Sequence, residues 1–155
     1  MSNSTRDQFN DLLRSEGLNA GIIPVSNIPN EESRLNEVNR LGILNRDLDQ
    51  EAQYNALTQL AAIITKSQIG LINILGSNIQ QCKTNFGFNV LESTLTEEMP
   101  REISICQYSL ASPQEPLIIN DLFLDERTKH FKKLEAYENL RFYAGSPLIS
   151  SRGFS

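Results

Sequence analysis

A chain of 155 residues is long enough for one domain with a real core, and 39% hydrophobic against 21% charged residues excludes a disordered chain. Fourteen lysines and arginines against 19 aspartates and glutamates give a net charge of −5, which disfavours nucleic acid and anionic membrane surfaces as partners. No apolar run approaches the roughly 20 residues that cross a bilayer, no basic-then-apolar leader opens the chain, and two cysteines make no disulfide framework, so a cytoplasmic setting with reduced thiols is expected.

Residues 6–16 predict a short amphipathic helix with Phe9, Leu12 and Leu13 on one face, ended by Gly17. The stretch LNAGIIPVSNIPN, broken by Pro24 and Pro29, reads as an irregular crossing segment. Asn30 is placed to cap a second helix, whose Glu31 and Glu32 suit its positive end. Leu35, Val38 and Leu41 recur along it, and it should end between Gly42 and Asn45. Asp47 or Asp49 is expected to cap a third helix reaching about Thr65. Leu57, Leu60, Ala61 and Ile64 form the i, i+3, i+4, i+7 stripe by which that helix should pack.

The stretch QIGLINIL (68–75) is apolar on both alternations, which predicts a strand inside a sheet, covered on both faces. Gly76, Ser77 and Asn78 form a hairpin turn, and the more polar IQQCKTNFG should be the partner strand, nearer an edge or a pocket. Residues 88–100 read as a loop. Residues 101–111 read as a short helix with Ile103, Ile105, Cys106 and Leu110 inward. EPLIIND (115–121) is a short strand. Asp125 marks a turn before a helical patch around Phe131 and Leu134. The last strand sets Leu140, Phe142 and Ala144 against Arg141 and Tyr143. Helices around a hairpin and short strands make an α+β fold with a mostly antiparallel sheet.

These pieces converge on one resemblance. IPNEESRLNEVNRLGIL with LTQLAAIITKSQIGLINIL, then PREISICQYSL, EPLIINDLFLDER and LRFYAGSPL resemble a bacterial GAF domain, in that family's order, over about residues 28–153. RFYAGSPL is the most specific block. The resemblance implies a GAF-like, PAS-related fold: a central antiparallel sheet of about six strands, helices flanking one face and loops over the other. It divides the chain into an N-terminal helix and linker, 1–27, and a GAF domain, 28–155. It implies a non-catalytic sensory module of a signalling protein, of the kind that precedes histidine-kinase (two-component), cyclic-dinucleotide or phosphatase output domains. The partners implied are a small-molecule ligand of unknown identity, a second copy of the chain, and an output domain in a longer parent. The family continues beyond YAGSPL with one more strand and a helix, so the chain is expected to be a GAF domain short of its end. Such a domain has an open sheet edge and an uncovered apolar face, which favour dimerisation or marginal stability.

The ligand-facing residues the resemblance implies are Cys106, Tyr108, Asp121, Arg127, Arg141 and Tyr143. Each also has a plainer reading. Cys106 and Cys82 read as small buried residues, since free cysteine is usually buried and inert. Asp121 can cap the turn after its strand and pair with Arg127 or Arg141. Arg141 otherwise offers a fork for a carboxylate or phosphate. Arg101 and Glu102 should anchor the excursion. His130, flanked by lysines, reads as a solvated position. One histidine and no glycine-flanked serine give no support to a Ser-His-Asp enzyme, and no cysteine or histidine spacing suits zinc. The competing functions are a purely structural dimerisation module and a thiol reductase using Cys106.

Overall fold

The computed structural model describes residues 3–45, 52–87, 97–133 and 139–155. Its elements in chain order are α1 (Asn3–Ala20), α2 (Glu31–Leu41), α3 (Ala52–Thr65), β1 (Gly70–Leu75), β2 (Ile79–Phe86), β3 (Glu98–Pro100), α4 (Gln107–Leu110), β4 (Leu117–Ile119) and β5 (Tyr143–Gly145), with 3₁₀ turns at Ile43–Asn45, Arg101–Ile103 and Phe131–Lys133. The architecture is α+β, with helices around small antiparallel sheets, in keeping with a GAF-like arrangement. In place of one sheet of about six strands, the described residues form a three-stranded sheet, β1-β2-β3, and a two-stranded ribbon, β4-β5.

The first helix runs past Gly17, because that glycine is an interior contact and not a stop. A Cβ there would meet Ile103 Cγ2 at 2.3 Å, so the missing side chain lets α1 lie directly on the excursion. The stop comes at Gly21, whose φ of 97° favours glycine. Leu13 faces the core, whereas Leu12 is exposed. Arg14 reaches Glu102 at 2.6 Å and Arg6 reaches Glu97 at 3.1 Å, tying α1 to the strip that carries β3.

Asn30 stands at the N-cap of α2, but by backbone and not by side chain: its φ is 54° and its side chain makes no capping bond. Val38 is buried and Leu41 exposed. The other buried residues of α2 are Arg34 and Glu37, which hydrophobic periodicity does not flag. Arg34 holds Glu31 at 2.6 Å and donates to the Leu75 carbonyl at 2.7 Å. Arg101 reaches the same carboxylate at 2.5 Å and the Gly76 carbonyl at 3.0 Å. Two arginines thus pin the start of α2 to the hairpin turn, and Arg101 anchors the excursion as expected.

The predicted caps Asp47 and Asp49 lie outside the described residues. Helix α3 meets the sheet through Thr58 and Ala62, so the expected packing stripe is turned the other way. Leu57, Leu60 and Ile64 are 57%, 51% and 70% exposed, and Ala61 is exposed too. The cause is the close approach at Gly70, where a Cβ would lie 2.7 Å from the Thr58 carbonyl oxygen. Only the small side chains of α3 fit against β1.

The hairpin pairs Leu75 with Gln80 and Gly70 with Phe86, with a register irregularity between Ile72 and Asn73. The strand positions are the reverse of those expected. The apolar β1 is at the end of its sheet with Leu71 exposed, and the more polar β2 is central. Strand β2 can be buried because several of its polar side chains are bonded, although Gln80 Oε1 and Gln81 Oε1 are buried without a partner among the described residues. Lys83 Nζ donates to the Leu44 carbonyl at 2.8 Å, Thr84 Oγ1 bonds Asn55 Oδ1, and Gln81 Nε2 bonds Glu98 at 3.0 Å. Part of the expected 88–100 loop, Glu98–Pro100, is instead the third strand.

The core lies away from this sheet's outer end. Ile22, Met99, Ile103, Ile105, Ile119, Leu122 and Phe131 form one buried cluster, with Leu13, Tyr108, Leu117, Phe123, Leu140 and Tyr143 around it. The excursion is a 3₁₀ turn, an extended Ser104 and the short α4, and not one helix, which lets Ile103, Ile105 and Leu110 all point inward. Ribbon β4-β5 pairs Leu117 with Gly145 and Ile119 with Tyr143 over this cluster. Its other face, carrying Ile118 and Phe142, is exposed. Leu134 lies outside the described residues.

Candidate functional site

The six residues singled out in the sequence do not converge on one pocket. They fall in pairs at three places.

Cys106 and Tyr143 meet inside the molecule. The Cys106 sulfur accepts from the Tyr143 hydroxyl at 3.4 Å and from Asn73 Nδ2 on β1 at 3.3 Å. Tyr143 lies along its own strand, over Gly145: a Cβ at Gly145 would fall 2.4 Å from the phenol oxygen. Burial pushes the Cys106 thiol up, against the lowering effect of those two donors. A thiol held that way is little ionised at neutral pH and is a poor nucleophile. Asn73, which nothing in the sequence pattern flags, is the group that links β1 to β5 through this sulfur. Its Oδ1 is buried without a hydrogen-bond partner among the described residues.

Asp121 and Arg141 meet at the surface. Arg141 Nε donates to Asp121 Oδ1 at 3.0 Å and Nη2 bonds the second oxygen, while the guanidinium stacks 5.0 Å from the centre of the Phe123 ring. Asp121 Oδ1 also accepts from the Phe123 amide at 2.9 Å. The Arg141 hydrogen bond, then that amide, hold the Asp121 carboxyl below its usual range. Both expected structural roles of Asp121, turn cap and Arg141 partner, are present. The expected pairing of Asp121 with Arg127 is not: Arg127 sits one turn on and bonds Asp125 bidentately, at 2.9 and 2.7 Å.

Tyr108 and Arg127 meet on a concave surface. A cleft of about 420 Å³ lies between them and the crossing segment at Ile23, Pro24 and Val25, with His130 and Glu126 at its rim. A second, of about 310 Å³, adjoins across the same two residues toward Ser109 and Leu117. Tyr108 is placed by its hydroxyl, which donates to the Ile23 carbonyl at 3.0 Å, and by an edge-to-face contact with Phe131 at 6.4 Å. Burial raises its phenol above the ordinary value. The crossing segment is held from behind by Gln107, whose Oε1 accepts from the Val25 amide at 2.8 Å. His130 is half-buried rather than fully exposed, its ring against Gly21, and Lys133 bonds the last carbonyl of α1, Ala20, at 2.7 Å. The sequence signal that could have marked this cleft is the apolar Ile22–Ile23 running into Pro24, with Pro29 beyond, which keeps the crossing segment out of helix and strand.

Among the described residues, no group of three or more histidines, cysteines, aspartates or glutamates is placed to hold a metal ion. Among them, no helix is long and apolar enough to cross a membrane.

No protein-family model matches the chain. Over 125 residues it is 26% identical to the cyclic di-GMP phosphodiesterase PA2567 of Pseudomonas aeruginosa. The alignment covers 81% of this chain but 20% of that protein, so the chain spans about a fifth of the length of the relative it matches. The similarity is to part of a cyclic-di-GMP signalling protein.

Proposed function

We propose that the chain is a non-catalytic regulatory module of a signalling protein, of the GAF type, that works as a homodimer joined through α3. The signalling context is supported by the similarity to a cyclic di-GMP phosphodiesterase over 81% of the chain. The GAF assignment is supported by the α+β architecture and by the four sequence blocks it accommodates.

The observation that carries the dimer is the exposed face of α3. Leu57, Leu60, Ile63 and Ile64 are all more than half exposed, on a helix of 14 residues without one charged side chain. A two-fold contact brings the same patch of both copies together, so a charge near the axis would meet its like. In an acidic chain, an uncharged helix with a stripe at heptad-like spacing is suited to self-association. Leu60→Glu would place two like charges in that contact. Native mass spectrometry should find a dimer for the wild type and a folded monomer for Leu60→Glu. A wild type that stays monomeric at tens of micromolar (~ the range in which a modest interface forms) would sink the dimer reading.

A further inference from the structure

We propose that the larger cleft, beneath the crossing segment, is a binding site for a small planar carboxylate, with its charged group on Arg127 and its apolar body between Tyr108 and Ile23–Pro24–Val25. The site deepens the regulatory reading by naming a ligand class, but it stands on residues remote from α3.

Three features point to an anion with an apolar body. First, a guanidinium carries five N–H donors, and Asp125 takes one from Nε and one from Nη2 of Arg127. Arg127 lines the cleft, and its Nη1 has no partner among the described residues. Second, Arg127 is the one arginine or lysine among the residues lining the cleft, and the one carboxylate there, Glu126, is drawn to Lys129. Third, the walls are apolar and held before any ligand arrives. The Tyr108 hydroxyl is fastened to the Ile23 carbonyl, the Val25 amide to Gln107, and the Tyr108 ring to Phe131. A preformed wall spares the ligand the cost of ordering it. The volume, about 420 Å³, falls in the range of small-molecule sites. A single guanidinium edge beside apolar walls satisfies one carboxylate. A phosphate dianion calls for more donors than these walls supply.

Sodium benzoate is the probe. Titrated into the ¹⁵N-labelled chain, it should give saturable shifts confined to the amides of residues 23, 25–27, 108 and 127–130, with a Kd on the order of millimolar, as befits so small a ligand. Arg127→Gln should weaken binding about tenfold, the loss of one charge-assisted contact. This variant should fold, because Arg127 is 46% exposed and bonds only within its own turn. Arg152→Gln, on the α2 side, should leave binding unchanged. Shifts that are absent, scattered, or equal in Arg127→Gln would overturn the site. Inorganic phosphate moving the same amides while benzoate does not would overturn the carboxylate assignment. Oligomeric state, followed in the same samples, reports on α3 independently of either outcome.

Discussion

Two buried or half-buried ionisable residues set opposite expectations. Cys106 has its thiol raised by burial, so it should not react with a disulfide reagent at pH 8 until the chain unfolds. Prompt stoichiometric labelling of Cys106 in the folded chain would revive the thiol-enzyme reading. Glu37 is the other case. Its carboxylate is 4% exposed, bonded to Arg40 at 2.8 Å and within 3.5 Å of Arg152, and the Arg40 hydrogen bond leads in holding it down to about 2. A carboxyl lowered in the folded state stabilises the fold above its ordinary value of 4.5, and that contribution is lost as pH falls toward 2. Denaturant midpoints should therefore drop across that window, and Glu37→Gln should flatten the drop. An unchanged slope in Glu37→Gln would assign the acid sensitivity to other carboxylates. Neither residue's state is legible in the sequence. Asp121 with Arg141 was, because a carboxylate two residues after β4 and an arginine two residues before β5 are brought together by the pairing of the two strands.

At the scale of elements, periodicity located the helices and hairpin but not their burial. The stripe on α3 was correctly seen as apolar and wrongly taken as the side on which the helix packs within the chain. What decides the matter is Gly70, whose effect is set by the approach of Ala62 and Thr58, eight and twelve residues earlier in sequence. The order of β1 and β2 was misread for a related reason. Strand burial was inferred from hydrophobicity, whereas β2 is central on the strength of bonds from Lys83, Thr84 and Gln81 to partners that only the fold supplies. Gly70→Ala tests the α3 contact directly. The new methyl would meet a backbone oxygen, so the helix must shift, at a cost of about 1–3 kcal/mol by the usual toll of overpacking. Urea unfolding measures it. A neutral Gly70→Ala would mean that α3 rides loosely over β1. Phe131→Ala, which empties the centre of the buried cluster, should cost about 3–5 kcal/mol.

At the scale of the molecule, the packing is uneven. Ile103, Ile119, Leu122 and Phe131 are buried almost completely between α1, the excursion and the β4-β5 ribbon, whereas α3 rests on the sheet through Thr58 and Ala62. Local stability follows buried contact, so different parts should open at different free energies. Among the described residues β1 and β5 each pair with one strand, and the edge of a sheet is a template for pairing with a further strand. In dilute solution the amides of α3 should exchange with deuterium well before those of Ile103 and Leu122. If α3 joins two copies, its exchange must slow as the protein is concentrated, because association removes the open form by mass action, while the core amides keep their rates. Exchange measured across a hundredfold range of concentration separates the cases. Slowing confined to α3 supports the helix-to-helix dimer. Slowing at β1 or β5 with α3 unchanged would instead place the contact at the open strand edges. Rates independent of concentration throughout would leave α3 as an exposed face of a monomer, and the dimer would have to be given up.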